Sequence, residues 1–116
     1  MARQVNLKSF LVRNLRRISY KWPPRNVALR EARIERGVYV CNMCGENFRN
    51  KEIVLDHIEP VINPSTGFVD WNEYVERLFV YEDGWQVLCR SCHDYKTEEE
   101  NKLRLEQKRL DKENEE

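Results

Sequence analysis

Apolar residues in the first part of the chain recur at the spacing of a helix face. They are Leu7, Phe10, Leu11, Leu15 and Ile18. Basic side chains lie mostly off this stripe, so the pattern predicts an amphipathic helix over residues 5–19. The run Trp22-Pro23-Pro24 ends it, because a residue before proline avoids the helical region. A second helix is predicted over residues 25–35, with Gly37 as its C-cap.

Shorter apolar runs in the middle of the chain predict strands over residues 38–40, 53–58 and 85–88. Between the last two, Asp70 followed by Glu73 forms a capping-box pattern that predicts the start of a third helix. The apolar face of that helix comprises Trp71, Tyr74, Val75, Leu78 and Phe79. We expect this face to be part of the core.

A last helix is predicted from Cys92 to Lys112, with Ser91 as its cap. Its final turns are almost wholly charged, and their apolar residues are Leu103, Leu105 and Leu110. We therefore expect a solvated helical tail. A coiled-coil dimer is the alternative, although two heptads do not establish one.

The chain is short and highly charged. Its 116 residues accommodate one domain, and 34% of them are charged, against a typical ~25%. The apolar core is therefore expected to be thin, and a further source of stability is needed. No apolar run reaches the roughly 20 residues of a membrane span, and no signal-peptide pattern is present. We expect a cytoplasmic protein rather than a membrane or secreted one.

Charge is distributed unevenly, although the net charge is zero. Residues 1–36 carry a net charge of +8, whereas residues 37–96 carry −5 and residues 97–116 carry −3. The basic N-terminal arm favours a polyanionic partner such as nucleic acid. A solvated helix face and a basic transit peptide are the alternatives.

Four cysteines form two C-x-x-C pairs, Cys41/Cys44 and Cys89/Cys92. In a reducing compartment, four thiolates in two such pairs suit one tetrahedral structural Zn²⁺ site. The metal would clamp both ends of the intervening segment and so compensate for a thin core. A redox dithiol is the rival interpretation, but one active dithiol does not explain a second pair.

The two histidines complete an ordered pattern. Asp56-His57-Ile58-Glu59-Pro60-Val61 lies between the cysteine pairs, and His93 directly follows Cys92 in the run from Gln86 to Thr97. With the C-x-x-C pairs, this pattern over residues 38–97 resembles the HNH endonuclease family, in particular its small phage-type members. The resemblance implies an α+β fold with a ββα-metal, treble-clef-like core, and a metal-dependent DNA endonuclease activity.

The resemblance also implies a role for each polar residue of the pattern. His57 is expected to be the general base, a role that suits the histidine pKa of about 6.5. Asp56 and His93 are expected to bind one catalytic divalent cation, Mg²⁺, Mn²⁺ or Ni²⁺. The four cysteines are expected to hold a separate structural zinc, and no organic cofactor is implied.

Two features complicate this assignment. Asp56 and His57 are neighbours in a predicted strand, so they face opposite sides unless the strand is irregular or the site straddles its end. Gly84 stands where the family has its middle Asn, which pins the loop that orients the base. Asp83 or a backbone group is expected to substitute for this Asn, with reduced or redirected activity.

Basic residues of the arm and of the core are candidate DNA contacts. They are Arg13, Arg16, Arg17, Arg25, Arg90 and Lys96. Phosphate contacts of this kind give salt-dependent affinity with little sequence preference. The predicted organisation is a basic helical arm (1–36), a zinc-stabilised nuclease core (37–97) and a charged helical tail (98–116). The phage-like pattern suggests action with a terminase during DNA packaging. The alternatives are a zinc-stabilised nucleic-acid-binding module that has lost catalysis and a protein-interaction adaptor.

Overall fold

The computed structural model describes residues 5–114 as an α+β protein with four helices and five short strands in that range. The helices are α1 (Leu7–Ser19), α2 (Pro23–Ala32), α3 (Trp71–Leu78) and α4 (Arg90–Asn114). The strands are β1 (Arg33–Glu35), β2 (Val38–Val40), β3 (Asn47–Arg49), β4 (Ile53–His57) and β5 (Trp85–Cys89). Single-turn 3₁₀ helices, Asn50–Glu52 and Glu82–Gly84, precede β4 and β5.

The two helices of the arm have ordinary capping chemistry. The Asn6 side chain accepts a hydrogen bond from the Ser9 N–H (3.1 Å) at the start of α1. Two prolines occupy the first turn of α2, where an N–H would have no helical partner. Helix α1 confirms its prediction to within two residues. Helix α2 begins two residues earlier than predicted and ends at Ala32 instead of Glu35.

Helix α2 ends early because a three-stranded sheet follows it, of which the sequence pattern predicted only the middle strand, β2. Residues 33–35 form β1, which pairs antiparallel with β2, and β3 pairs with the other edge of β2. Gly37, predicted as a helix cap, has φ 77° in the turn between β1 and β2. Glycine adopts a positive φ without steric cost, so the chain reverses here and Arg33 lies opposite Tyr39.

The second sheet is the antiparallel pair β4 and β5, and both strands were predicted. The register places Ile53 opposite Cys89 and His57 opposite Trp85. Strand β5 continues directly into α4, which begins at Arg90. Ser91 therefore lies inside the first turn of α4, and its prediction as the cap was wrong.

Helix α3 lies in the connection between β4 and β5. The Asp70 carboxylate accepts a hydrogen bond from the Glu73 N–H (2.8 Å), which confirms the predicted cap. Tyr74 and Leu78 are buried, as predicted. Val75 is 40% exposed because its side of this two-turn helix borders an open groove, so its assignment to the core was wrong.

Buried apolar residues form two separate clusters. One contains Cys41, Leu88 and Cys89, with Phe48 and Cys92 packed against it. The other contains Val61, Tyr74 and Leu78, with Val12, Leu15, Ile62, Phe68, Trp71 and Phe79 packed against it. The second cluster joins α1 to α3, whereas the first is centred on cysteines. The core is thin, as the composition predicts. The smaller of the two clusters is built around the cysteines.

Helix α4 extends beyond both clusters as a solvated helix. None of its residues is buried, and Leu103, Leu105 and Leu110 are exposed. The radius of gyration is 16.8 Å, above the about 13 Å expected for a compact chain of this length. Among residues 5–114, no helix combines the length and hydropathy needed to cross a membrane.

Candidate metal centre and active site

The four cysteines lie together at the junction of the two sheets. Cys41 and Cys44 flank the turn after β2, Cys89 ends β5, and Cys92 lies in the first turn of α4. Their Sγ atoms all lie within 4.8 Å of one another, and those of Cys44 and Cys89 are 4.0 Å apart. A tetrahedral zinc with Zn–S bonds of about 2.3 Å separates its sulfurs by about 3.8 Å. The cluster therefore has the geometry to bind a metal such as Zn²⁺.

Backbone amides and neighbouring thiols set the ionisation of this cluster. Burial alone would raise the pKa of Cys41, but backbone N–H groups, among them that of Cys44 (3.5 Å), lower it to about 6. The hydrogen bond with the Cys89 sulfur raises the pKa of Cys92 to about 12, and burial adds to this effect. Four adjacent thiols therefore do not all ionise on their own. A bound divalent cation favours the thiolate form of each of them.

The first cysteine turn is also tied directly to β5, through a residue that the sequence analysis did not identify. The Asn42 side chain accepts a hydrogen bond from the Val87 N–H (2.6 Å), and the Asn42 N–H donates to the Val87 carbonyl (2.8 Å). These two bonds satisfy the backbone N–H and carbonyl groups of Val87, which β4 leaves unpaired. They connect the three-stranded sheet to the strand that carries Cys89.

Asp56 and His57 lie on opposite faces of β4, as strand alternation predicts, and His57 is the last residue of the strand. On the α4 side, Asp56 Oδ1 is 3.9 Å from His93 Nε2. Asp56 Oδ2 is 2.8 Å from Lys96 Nζ and accepts a longer bond (3.4 Å) from the Gln86 side chain. The structure thus brings Asp56, His93 and Lys96 together.

The Lys96 ammonium is held by three acceptors. They are the carboxylates of Asp56 (2.8 Å) and Glu100 (2.6 Å) and the His57 carbonyl (2.9 Å). Burial lowers the pKa of Lys96, but the bonds to the two carboxylates outweigh it and raise the pKa above its ordinary value. The charge of Lys96 is therefore locally compensated, and its contact with DNA stays a prediction.

The His57 imidazole lies on the other face of β4, against Trp85 and α3. Its ring packs against that of Trp85, with centroids 3.9 Å apart and a tilt of 39° between the two planes. Nε2 is 2.8 Å from the Leu78 carbonyl. Because a carbonyl oxygen only accepts, Nε2 carries the proton and donates, and Nδ1 keeps its lone pair. Neither Trp85 nor the Leu78 carbonyl was singled out as a site residue by the sequence pattern.

The environment of His57 favours the neutral imidazole. Burial is the main cause, and it lowers the pKa of His57 below its ordinary value. The bond to Leu78 and the charge of Asp56 oppose this shift, whereas the charges of Arg16 and Lys96 reinforce it. At neutral pH the ring is therefore an uncharged base with its lone pair on Nδ1.

The loop that follows Leu78, the last residue of α3, is fixed by hydrogen bonds of backbone groups and two indoles. The Val80 carbonyl accepts hydrogen bonds from Nε1 of both Trp22 (2.6 Å) and Trp85 (3.0 Å). The Gly84 carbonyl accepts from the Ile58 N–H (2.9 Å). A Cβ at Gly84 would lie 2.6 Å from the Val80 Cβ, so the position leaves no room for a side chain. Backbone groups and two indole N–H groups thus fix this loop, and Gly84 contributes no side chain to it.

The predicted DNA-contacting arginines lie in three places. Arg13, Arg16 and Arg17 are exposed on α1. Arg25, in the first turn of α2, is half-buried, and its Cζ lies 5.9 Å from the centre of the Trp85 ring. Arg90 donates to the Lys51 carbonyl (3.2 Å) near the cysteine cluster, away from His57. The arm therefore carries its charge to the His57 face of β4.

Comparisons of the chain with protein-family models, with curated proteins and with solved structures found no match. The chemistry of the site therefore follows from its own residues. These are a cluster of four thiols, a carboxylate beside an imidazole, and a second imidazole with one free nitrogen.

Proposed function

We propose that this protein is a divalent-cation-dependent DNA endonuclease with a ββα-metal core of the HNH type. The observation that carries the proposal is the hydrogen bond from His57 Nε2 to the Leu78 carbonyl. It fixes the tautomer and the ring orientation, and it leaves a basic Nδ1 at the end of β4.

His57 acts as the general base. The neutral ring accepts a proton from water at Nδ1 while the water oxygen bonds to phosphorus. The bond from phosphorus to the 3′ oxygen breaks, and this oxygen takes a proton from solvent. The products are a 5′-phosphate and a 3′-hydroxyl. The lowered pKa keeps His57 unprotonated, and therefore competent, at neutral pH.

Asp56 and His93 would hold the catalytic cation. Their Oδ1 and Nε2 atoms are 3.9 Å apart, and two ligands at about 2.1 Å from one cation lie at most about 4.2 Å apart. Lys96 and Gln86 hold the other carboxylate oxygen, so Oδ1 remains directed toward His93. Because His57 lies on the other face of β4, the attacked phosphate has to span the end of the strand, where His57 is the last residue, for a cation held there to stabilise the charge that develops on the leaving oxygen.

The cysteine cluster positions both halves of the site. Cys92 and His93 are consecutive in the first turn of α4, so a metal on the thiolates fixes the helix that presents His93 to Asp56. Cys89 ends β5, whose other end carries Trp85 opposite His57. Zinc would thus act on catalysis through position, without contacting the substrate.

A catalytically impaired nucleic-acid-binding module is the second candidate. One observation favours it: Lys96 already neutralises Asp56 at 2.8 Å, so the carboxylate has a cation without any metal. This candidate retains DNA binding through the arm. It does not explain the orientation of His57.

Supercoiled-plasmid cleavage by the zinc-loaded protein tests the proposal. Lanes with no added cation, Mg²⁺, Mn²⁺ and Ni²⁺ are compared, with His57→Ala purified in parallel and checked for zinc content and fold. We expect nicked or linear DNA only with a divalent cation and only with His57 present. Equal cleavage by His57→Ala would contradict the assigned base. DNA binding without cleavage in every lane would favour the second candidate.

A further inference from the structure

Arg25 is a partly buried cation between aromatic rings. Its Cζ lies 4.9 Å from the centre of the Tyr20 ring and 5.9 Å from that of Trp85. Among residues 5–114, no carboxylate forms a salt bridge with it. Arg77, by contrast, is near Glu59 and Glu73. Arg25 is therefore partly desolvated, with no salt-bridge partner among the described residues.

This environment is typical of an arginine that binds an anion. Burial lowers the pKa of Arg25, and only Tyr20 opposes this effect. Aromatic rings stabilise a guanidinium through its faces. Its planar N–H edge is the group that pairs with phosphate in a bidentate manner. Two rings thus hold Arg25 while that edge has no carboxylate to bind.

The position of Arg25 associates this charge with His57. Trp85 lies next to both side chains: its ring centre is 3.9 Å from that of His57 and 5.9 Å from Arg25 Cζ. Arg16, on α1, adds positive charge near the same imidazole. The acidic group of the site, Asp56, lies on the opposite face of β4 and is compensated by Lys96. The positive charges near His57 on this face are therefore those of Arg16 and Arg25, which both belong to the arm.

We propose that Arg25 binds the DNA phosphate attacked at His57, so that the arm supplies a substrate-binding residue of the active site as well as general affinity for DNA. This inference rests on the proposed function. It assigns to Arg25 a contact made at one phosphate, which differs from the sequence-independent contacts expected of the exposed arginines. The loss of this contact affects the reaction step more than DNA binding.

Arg25→Gln tests the inference, with Arg30→Gln as the matched control from the exposed surface of the same helix. Cleavage is measured under single-turnover conditions at saturating DNA. We expect Arg25→Gln to reduce the maximal rate on the order of 100-fold, with a much smaller change in affinity. Arg25→Lys should recover part of the rate, since a lysine restores charge without the planar edge. Arg30→Gln should leave the maximal rate unchanged.

A second readout does not depend on cleavage. With ¹⁵N-labelled, zinc-loaded protein and no added Mg²⁺, Mn²⁺ or Ni²⁺, a short DNA duplex should shift the Nε–Hε resonance of Arg25 and not that of Arg30. An unmoved Arg25 signal, or equal rates for wild type and folded Arg25→Gln, overturns the inference while the endonuclease proposal stands. If wild type cleaves nothing but the Arg25 signal moves, the endonuclease proposal fails and the phosphate contact stands.

Discussion

Replacing Gly84 by Asn introduces the residue that the HNH pattern, which this sequence resembles, has at this position, yet we expect the substitution to damage the protein. A Cβ at Gly84 would lie 2.6 Å from both Cβ and Cγ2 of Val80. Carbon atoms pack at about 3.5–4.0 Å, so Val80 has to move by about 1 Å. Overpacking of this kind costs about 1–3 kcal/mol. Replacing glycine also lowers the conformational entropy of the unfolded chain, which offsets about 0.4–1 kcal/mol of the overpacking cost.

The displacement also reaches the site. The Val80 carbonyl accepts hydrogen bonds from Trp22 and Trp85, and each bond contributes about 0.5–1.5 kcal/mol. Weakening them brings the expected loss of stability for Gly84→Asn to about 2–3 kcal/mol. For a chain of this size that corresponds to a decrease in Tm of about 8–12 °C. Cleavage should decrease as well, because Val80 lies two residues after Leu78, whose carbonyl orients His57.

Thermal unfolding of the zinc-loaded protein, followed by circular dichroism, measures this loss. Asp83→Asn introduces the same side chain at an exposed neighbouring position and should leave Tm within about 1–2 °C. Val80→Ala combined with Gly84→Asn should rescue only part of the loss, since the Cβ contact remains. If Gly84→Asn is as stable as wild type and cleaves faster, the loop is not fixed by the close approach and our reasoning is wrong.

Three further predictions concern the metal sites and the base. Cys44→Ser should abolish zinc binding and unfold the domain, although Cys44 is exposed. Metal content and circular dichroism measure both effects. A zinc-free variant that melts like wild type would refute a structural role for the metal. The rate of DNA cleavage at limiting DNA should increase with pH and then level off, with a midpoint below 6.5. The reason is that burial of His57 disfavours its protonated form. A midpoint above 7 contradicts this. Lys96→Met should lower the free energy of unfolding by about 2–3 kcal/mol, since it leaves the partly buried carboxylates of Asp56 and Glu100 unpaired. Mn²⁺ should restore part of that loss in thermal melts, whereas Lys102→Met, which removes an exposed ion pair, should have little effect.

Features that depend on local chemistry were predictable from the sequence. The Asp70 cap follows from side chains three residues apart, and the cysteine cluster follows from ligand spacing. The alternation of Asp56 and His57 across β4 likewise follows from strand geometry. Each of these depends on a few residues whose chemistry allows one main solution.

Features that depend on backbone groups and distant pairing were not predictable. Strands β1 and β3 have three residues each and exist through their pairing with β2, so they leave no period in the sequence. The acceptor for His57 is a main-chain carbonyl, and every residue has one. Lys96 was interpreted as a DNA contact because the sequence does not show that Glu100, one helical turn later, and Asp56 both reach its ammonium.

The hydrogen bond between the Ile58 N–H and the Gly84 carbonyl closes residues 58–84 into a loop that leaves the sheet and returns to it at the same level. Lengthening a loop closed in this way costs little, about 0.6 kcal/mol for each doubling. Ser65 and Thr66 lie exposed at the turn between the loop's anchored segments. A fluorophore, an affinity tag or an additional folded module can therefore be attached there while the strand register around His57 is preserved.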